Sequence, residues 1–468
     1  MILAFSNVGI AVLSFLRNIL VARLVSVEDF GVASTFAIVT SLVAMANNFA
    51  VDKLLIQTSS DNVVATQRSL QFFEFSRGLL NGLLTFFIAG LFADYFENQE
   101  LLWAYQLLAL VPVLRGLAHL DFVRFQRQMK FMSLVKLELI PHLISLSLFP
   151  VLAMIYDDYL VFLYMLLGAE ISRLLLSHFL AENRYGWKIN LSDFKTIFHF
   201  GWPLILNNVL FFAVSQGEKS LVGFAIGLEE LGWFSATFSL AFLPAMVLIR
   251  TIQSLFLPIF SRISLEDENF RNGVSSLMVI TTILGFLLSL GTVIIGPIAL
   301  KLIYGVKYSA GTELIGLLGI IQSLRVARSG LIVPAISKKV TSLPVLANSF
   351  RIASFGAGAA ALLSGYDIYA VILCSLFAEF GAMIFSFYFL EKKLGLQLHA
   401  IRNLIFLIFA GVTVAGYFAR DIFTGTNPLT DLSVGIGAGL LTCLVSWFLF
   451  SDAFRWIMNT KSISFSDS

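Results

Sequence analysis

The sequence predicts an all-α integral membrane protein with about fourteen transmembrane helices, and three observations carry that reading. Apolar stretches, most near twenty residues long, recur from Ile2 to Phe450. Hydrophobic residues make up 58% of the 468 and charged residues 13%, more apolar surface than a soluble core of this length buries. Basic residues divide unevenly between alternate connections. A helix needs roughly 20 apolar residues to cross about 30 Å of hydrocarbon, and only helices or closed barrels satisfy every backbone group there. These stretches are too long and too continuously apolar for barrel strands.

Taken in order, the first six spans run approximately over 2–22, 32–51, 70–92, 102–123, 137–155 and 159–181. The next six cover 200–226, 233–260, 274–296, 311–334, 343–363 and 368–390, and a last pair covers 403–419 and 432–450. The even-numbered connections and the C-terminal tail carry eighteen Lys and Arg, the odd-numbered connections four. Basic residues are retained in the cytoplasm, so both termini are placed there. Met1 leads straight into an apolar stretch with no basic n-region or small-residue cleavage site, the pattern of a first membrane helix and not of a secretory signal.

Two internal matches predict a duplication. A shift of 201 residues places Leu20, Glu28, Gly31 and Ser34 on Leu221, Glu229, Gly232 and Ser235. A shift of 210 places Leu107-Leu108 and Leu114-Arg115 on Leu317-Leu318 and Leu324-Arg325. Six spans separate each pair, an even number, so the halves have the same orientation and form a parallel repeat around a central cleft. The expected organisation is an N-terminal six-helix lobe (1–195), a C-terminal six-helix lobe (196–395), and two additional helices with a cytoplasmic tail (396–468).

Several function classes drop out. No connection is long enough for a folded catalytic head, and no nucleotide-binding glycine loop or serine elbow is present. The net charge of +2 is spread over short loops, which gives no stripe for nucleic acid. Cys374 and Cys443 fall inside apolar spans, and the five histidines lack metal-type spacing, so no metal or other cofactor is expected.

Nine basic residues lie inside the spans: Arg17, Arg77, Arg115, Arg173, Lys219, Arg250, Arg325, Arg328 and Arg351. Each costs about 2.5–3.5 kcal/mol at a helix centre on insertion scales, so it faces a partner or a watery cavity. Glu74–Arg77 and Glu170–Arg173 are three apart and read as local pairs, while Arg250 and Arg351 lie near enough to span ends to snorkel. His119, His142 and His178 read as packing histidines ahead of proton carriers.

Arg17, Arg115, Lys219, Arg325 and Arg328 remain as candidate substrate-binding cations. Arg17, Arg115, Lys219 and Arg325 sit at matching places in spans 1 and 7 and spans 4 and 10, and Arg328 follows Arg325 by three residues, a like-charge pair unfavourable without an anion nearby; structural pairing to other helices is the competing reading. Asp121, Glu218 and Glu379 are candidates for coupling or pairing, with H+ and Na+ both open as coupling ion.

The run Phe15-Leu16-Arg17-Asn18-Ile19-Leu20-Val21-Ala22-Arg23-Leu24-Val25-Ser26-Val27-Glu28-Asp29-Phe30-Gly31 resembles the opening signature of the Wzx-type polysaccharide and O-antigen flippases. Phe200-Gly201-Trp202-Pro203, Leu231-Gly232-Trp233-Phe234 and the basic connection 124–130 resemble further landmarks of that family. The usual signature proline is Val27 here, and the usual basic leader is absent, which leaves the start of the chain open.

The resemblance implies movement of an undecaprenyl-diphosphate-linked oligosaccharide, an O-antigen or exopolysaccharide repeat unit, across a bacterial inner membrane by alternating access. It also implies membrane lipids as partners, together with the polymerase and glycosyltransferases of the same pathway. Related lipid II flippases carry arginine in a similar stretch of span 1, which maps onto Arg17 and Arg23. The competing functions are a cation- or proton-coupled antiporter of the same superfamily and, below it, a membrane polysaccharide polymerase or ligase.

Overall fold

The computed structural model describes residues 2–46, 55, 63–127, 131–189, 208, 212, 213, 215–340 and 342–395, and among them there is no β-strand. Ten helical stretches in these residues are long and apolar enough to cross a membrane. The last two predicted spans, 403–419 and 432–450, lie outside the described residues.

The chain divides into two compact units, Met1–Ser235 and Ala236–Ser468. The predicted lobe limits near 195 and 395 border undescribed stretches, so they rest on the sequence alone. The first unit contains α1 (Ile2–Leu24), α2 (Val27–Ala46), α3 (Val63–Tyr95), the short α4 (Leu102–Leu107), α5 (Leu110–Leu117), α6 (Asp121–Arg127), α7 (Phe131–Ala153) and α8 (Leu160–Leu180). Residues 215–225 are also helical. Next, α9 (Leu228–Arg262) passes from the first unit into the second. Its 35 residues span about 52 Å at 1.5 Å per residue, more than the hydrocarbon alone requires. The second unit continues with α10 (Glu268–Ile294), α11 (Gly296–Ile303), α12 (Ile315–Ser337), α13 (Ser342–Leu363) and α14 (Ile368–Leu394).

The helix starts are written locally. Ser26 Oγ accepts the Asp29 backbone N–H (3.0 Å) and donates to the Asp29 carboxylate (2.5 Å), a reciprocal cap that begins α2. Val27 is the first helical residue, where a proline would also fit because its missing N–H has no partner within the helix anyway. Asp267 and Asp367 cap α10 and α14 in the same way through the amides of Asn269 and Tyr369.

Helices pair in the same order in both units. In the first, α3 packs on α5, α5 on α8, and α8 on α7; in the second, α10 packs on α12, α12 on α14, and α14 on α13. Gly78 and Gly116 let the α3 and α5 backbones approach so closely that a Cβ on either would overlap main-chain atoms of the other helix. Leu80, Leu83, Leu84, Phe87 and Leu91 recur on the outer face of α3 and are exposed, the helical stripe expected against acyl chains.

Span 4 was expected to be one helix over 102–123, but helix geometry stops at Leu117 and Ala118 is extended. The amides that would continue the helix are diverted to side chains. His119 N donates to Ser177 Oγ (2.9 Å) and Leu120 N to Gln71 Oε1 (2.9 Å), after which α6 begins. This places Asp121 and His119 in a link beyond the membrane helix, not at depth inside it.

Candidate functional site

In the second unit, α12, α13 and α14 bring three arginines onto one carboxylate. Glu379 on α14 is 1% exposed and accepts Arg325 Nε at 2.6 Å. Arg351 Nε stands 2.9 Å from the same Oε1. Arg328 Nη2 is 3.1 Å from Oε2 but is not aligned for a hydrogen bond. Gln322, one turn before Arg325, accepts Arg325 Nη1 at 3.2 Å. Three cations and one anion leave a formal charge of +2 within a helix bundle. The Nε and Nη1 of Arg328 and the Nε2 of Gln322 are buried without a hydrogen-bond partner. Unmatched buried donors of this kind are costly and favour an anionic neighbour.

The first unit has a related arrangement. Arg115 on α5 donates twice to Glu170 on α8, through Nε (3.0 Å) and Nη2 (2.5 Å). The Arg115 side chain is 41% exposed, whereas Arg325 in its pair is 8% exposed. Arg17 on α1 lies over the Phe162 ring, 4.8 Å from its centroid, and its Nε is buried without a hydrogen-bond partner. Glu170 exerts an attractive field on Arg17 without forming an ion pair with it, and His142 and Arg173 share this neighbourhood. With one face on the ring, such a guanidinium keeps its in-plane N–H donors for an anion such as phosphate.

The predicted site residues are therefore distributed as follows. Arg325, Arg328 and Glu379 come together, and Arg17 and Arg115 share the field of Glu170. Lys219 and Glu218 are neighbours in the helical stretch 215–225, with Glu218 acting attractively on the lysine. Asp121 is fully buried elsewhere, where its carboxylate accepts the amides of Glu182 (2.7 Å) and Asn183 (3.2 Å) and the Asn183 side chain (2.9 Å). Backbone and side-chain amides thus hold it, which is a structural use of the charge.

Two local expectations change. Glu74 and Arg77 do pair, but Glu170 bonds Arg115 in preference to Arg173. Arg351 does not snorkel; it points into the Glu379 cluster. Neither cross-helix partner is visible in residue spacing, because the residues stand 55 and 28 positions apart on different helices. Among the described residues no cluster of three or more His, Cys, Asp or Glu could hold a metal.

Residues 20–313 match the model of a family described as polysaccharide biosynthesis protein. The chain belongs to that family. The chain is 21% identical to the teichuronic acid biosynthesis protein TuaB of Bacillus subtilis over 269 residues, 56% of its own length and 55% of TuaB. It is 20% identical to the lipopolysaccharide biosynthesis protein WzxC of Escherichia coli over 330 residues, 69% of its own length and 66% of WzxC. The chain thus spans little more than half of TuaB and about two thirds of WzxC. Its fold is similar to that of the lipid II flippase MurJ in an inward closed conformation (TM-score 0.70, 15% identity, 97% of this chain and 100% of that one). It is also similar to an inward-facing multidrug resistance MATE family transporter of the MOP superfamily (TM-score 0.59, 12% identity, 82% and 95%).

Proposed function

We propose that this protein is a flippase that moves an undecaprenyl-diphosphate-linked oligosaccharide, the repeat unit of an O-antigen or exopolysaccharide, from the inner to the outer leaflet of a bacterial inner membrane. The two repeated lobes, 1–195 and 196–395, alternate access to a cationic site, while the polyprenyl tail stays in lipid. Both termini lie in the cytoplasm, and an H+ or Na+ gradient drives the cycle. The observation that carries this reading is the excess of arginine over carboxylate within the helices of each unit, at Arg17 and Arg115 and at Arg325, Arg328 and Arg351. A diphosphate supplies anionic charge and acceptor oxygens, and Arg17 Nε and Arg328 Nε and Nη1 have no acceptor among the described residues.

The antiporter reading needs unpaired carboxylates facing its cargo. Glu379 is surrounded by three arginines and Asp121 is held by amides, so neither serves that purpose. The test is to delete the gene and look for the lipid-linked oligosaccharide on the cytoplasmic leaflet. Accumulation there, relieved by the intact gene, is the expected result; normal surface glycan without the protein refutes the proposal.

A further inference from the structure

A polar notch lies away from the arginine clusters, where the start of α3, the link between α5 and α6, and the segment after α8 meet. Gln67, Arg68, Gln71, His119, Asn183, Arg184, Tyr185 and Gly186 line it, and it is shallow and open at its mouth. Its floor is fixed by buried bonds. Gln71 donates to Ala118 O (2.7 Å) and accepts the Leu120 amide. The His119 ring accepts the Asp121 amide at Nδ1 (3.0 Å), which leaves Nε2 to donate to Asn183 O (3.1 Å).

Asp121 does not line the notch, and its carboxylate is occupied by the amides of Glu182 and Asn183 and by the Gln67 side chain (3.4 Å). The floor thus contributes neutral dipoles while the mouth is cationic. Arg68 and Arg184 are both exposed, and neither has an ion-pair partner among the described residues.

Beside the notch, Trp187 stacks on Phe75 (ring centroids 4.7 Å apart, 19° between planes) and donates through Nε1 to Tyr185 Oη (3.1 Å). Tryptophan and tyrosine in this position mark the headgroup level of a bilayer. The notch also sits at the end of the helices that carries the basic connections 124–130 and 182–199, the side that charge distribution assigns to the cytoplasm. A pair of free arginines over a rigid polar floor, at headgroup depth, has the chemistry that recognises a phosphodiester.

We propose that this notch binds the phosphate headgroup of an anionic phospholipid of the cytoplasmic leaflet, held between Arg68 and Arg184. The notch is too small for an oligosaccharide repeat, so the phosphate rests at its mouth against the two arginines, which separates this site from the transported cargo. It is a resident lipid site, and it stands whether or not the cargo is the one proposed above.

The test is native mass spectrometry of the full-length protein carrying added phosphatidylglycerol or phosphatidylcholine. The wild type is expected to retain phosphatidylglycerol at least tenfold better than phosphatidylcholine. The double variant Arg68→Gln/Arg184→Gln is expected to lose that preference with an unchanged melting temperature, because both side chains are exposed and unpaired. Arg68→Lys/Arg184→Lys, which keeps the charges, should retain part of it. Equal retention of the two lipids by the wild type, or an undiminished preference in the glutamine variant, overturns the proposal. So does a melting shift with inorganic phosphate as large as that with phosphatidylglycerol, which would assign the notch to free phosphate.

Discussion

Arg115 and Glu170 form a two-bond pair whose counterpart in the other unit is Arg325 and Glu379, joined through Nε. Arg325 follows Arg115 by the 210 residues of the sequence match, and Glu379 follows Glu170 by one fewer. The helices that carry them, α5 with α8 and α12 with α14, are also packed partners in their own units. The two pairs differ in exposure: the first is open at its arginine, and the second is sealed with two further arginines.

That difference predicts unequal costs. Glu379→Gln leaves Arg325, Arg328 and Arg351 facing one another in a buried site, and removing the sole anion of such a group costs about 3–5 kcal/mol. Glu170→Gln should cost markedly less, since Arg115 can turn to its open side. Melting temperatures of the two purified variants check this, and equal losses would show that exposure does not set the cost.

Arg328→Met should leave stability unchanged or raise it. Two of the arginine's donors have no partner, and Glu379 keeps Arg325 and Arg351 after the change. If the residue serves only the packing of α12, its loss will lower the melting temperature; if it serves cargo, transport falls while the melting temperature holds.

Gly31 and Gly232 occupy matching places in the first sequence repeat, and each lies against the other's helix start. A Cβ on Gly31 would overlap the Leu228 carbonyl oxygen, and a Cβ on Gly232 would overlap that of Val27. Gly31→Ala or Gly232→Ala is therefore expected to destabilise by about 1–3 kcal/mol. Gly356→Ala on α13, where a Cβ meets nothing within 4 Å, should be neutral or slightly stabilising. Thermal unfolding in detergent reads all three, and a harmless Gly31→Ala would mean that the two turns separate readily.

Asp121→Asn should loosen the segment 182–189. The carboxylate accepts three hydrogen bonds from Glu182 and Asn183, and hydrogen bonds to a charged group contribute about 1.5–3 kcal/mol each. Trypsin should then cleave faster after Arg184 and Lys188. Unchanged cleavage together with a lost pH dependence of transport would return Asp121 to a coupling role.

The membrane fold was legible because apolar runs near twenty residues have few other uses, and the symmetric placement of Arg115 and Arg325 was legible from the internal match. Their partners were not. Spacing along one helix suggested Arg173 for Glu170 and a membrane surface for Arg351, whereas both choices were settled by neighbouring helices. The break after Leu117 was hidden for a similar reason: Gly116 beside it serves the close approach of α3, and the break arises from acceptors on Gln71 and Ser177, far away in the chain. Asp121 consequently read as an intramembrane charge when it is the anchor of a loop.

Arg17 offers the most direct test of the central claim, that unpaired intramembrane arginines take the diphosphate of the cargo. It has no ion-pair partner among the described residues, and its Nε is already unsatisfied, so Arg17→Met should fold as well as the wild type. The measurement is the affinity of the purified protein for a polyprenyl-diphosphate oligosaccharide, with melting temperature as control. The account predicts a loss of at least tenfold for Arg17→Met at an unchanged melting temperature. Wild-type affinity in that variant would contradict it.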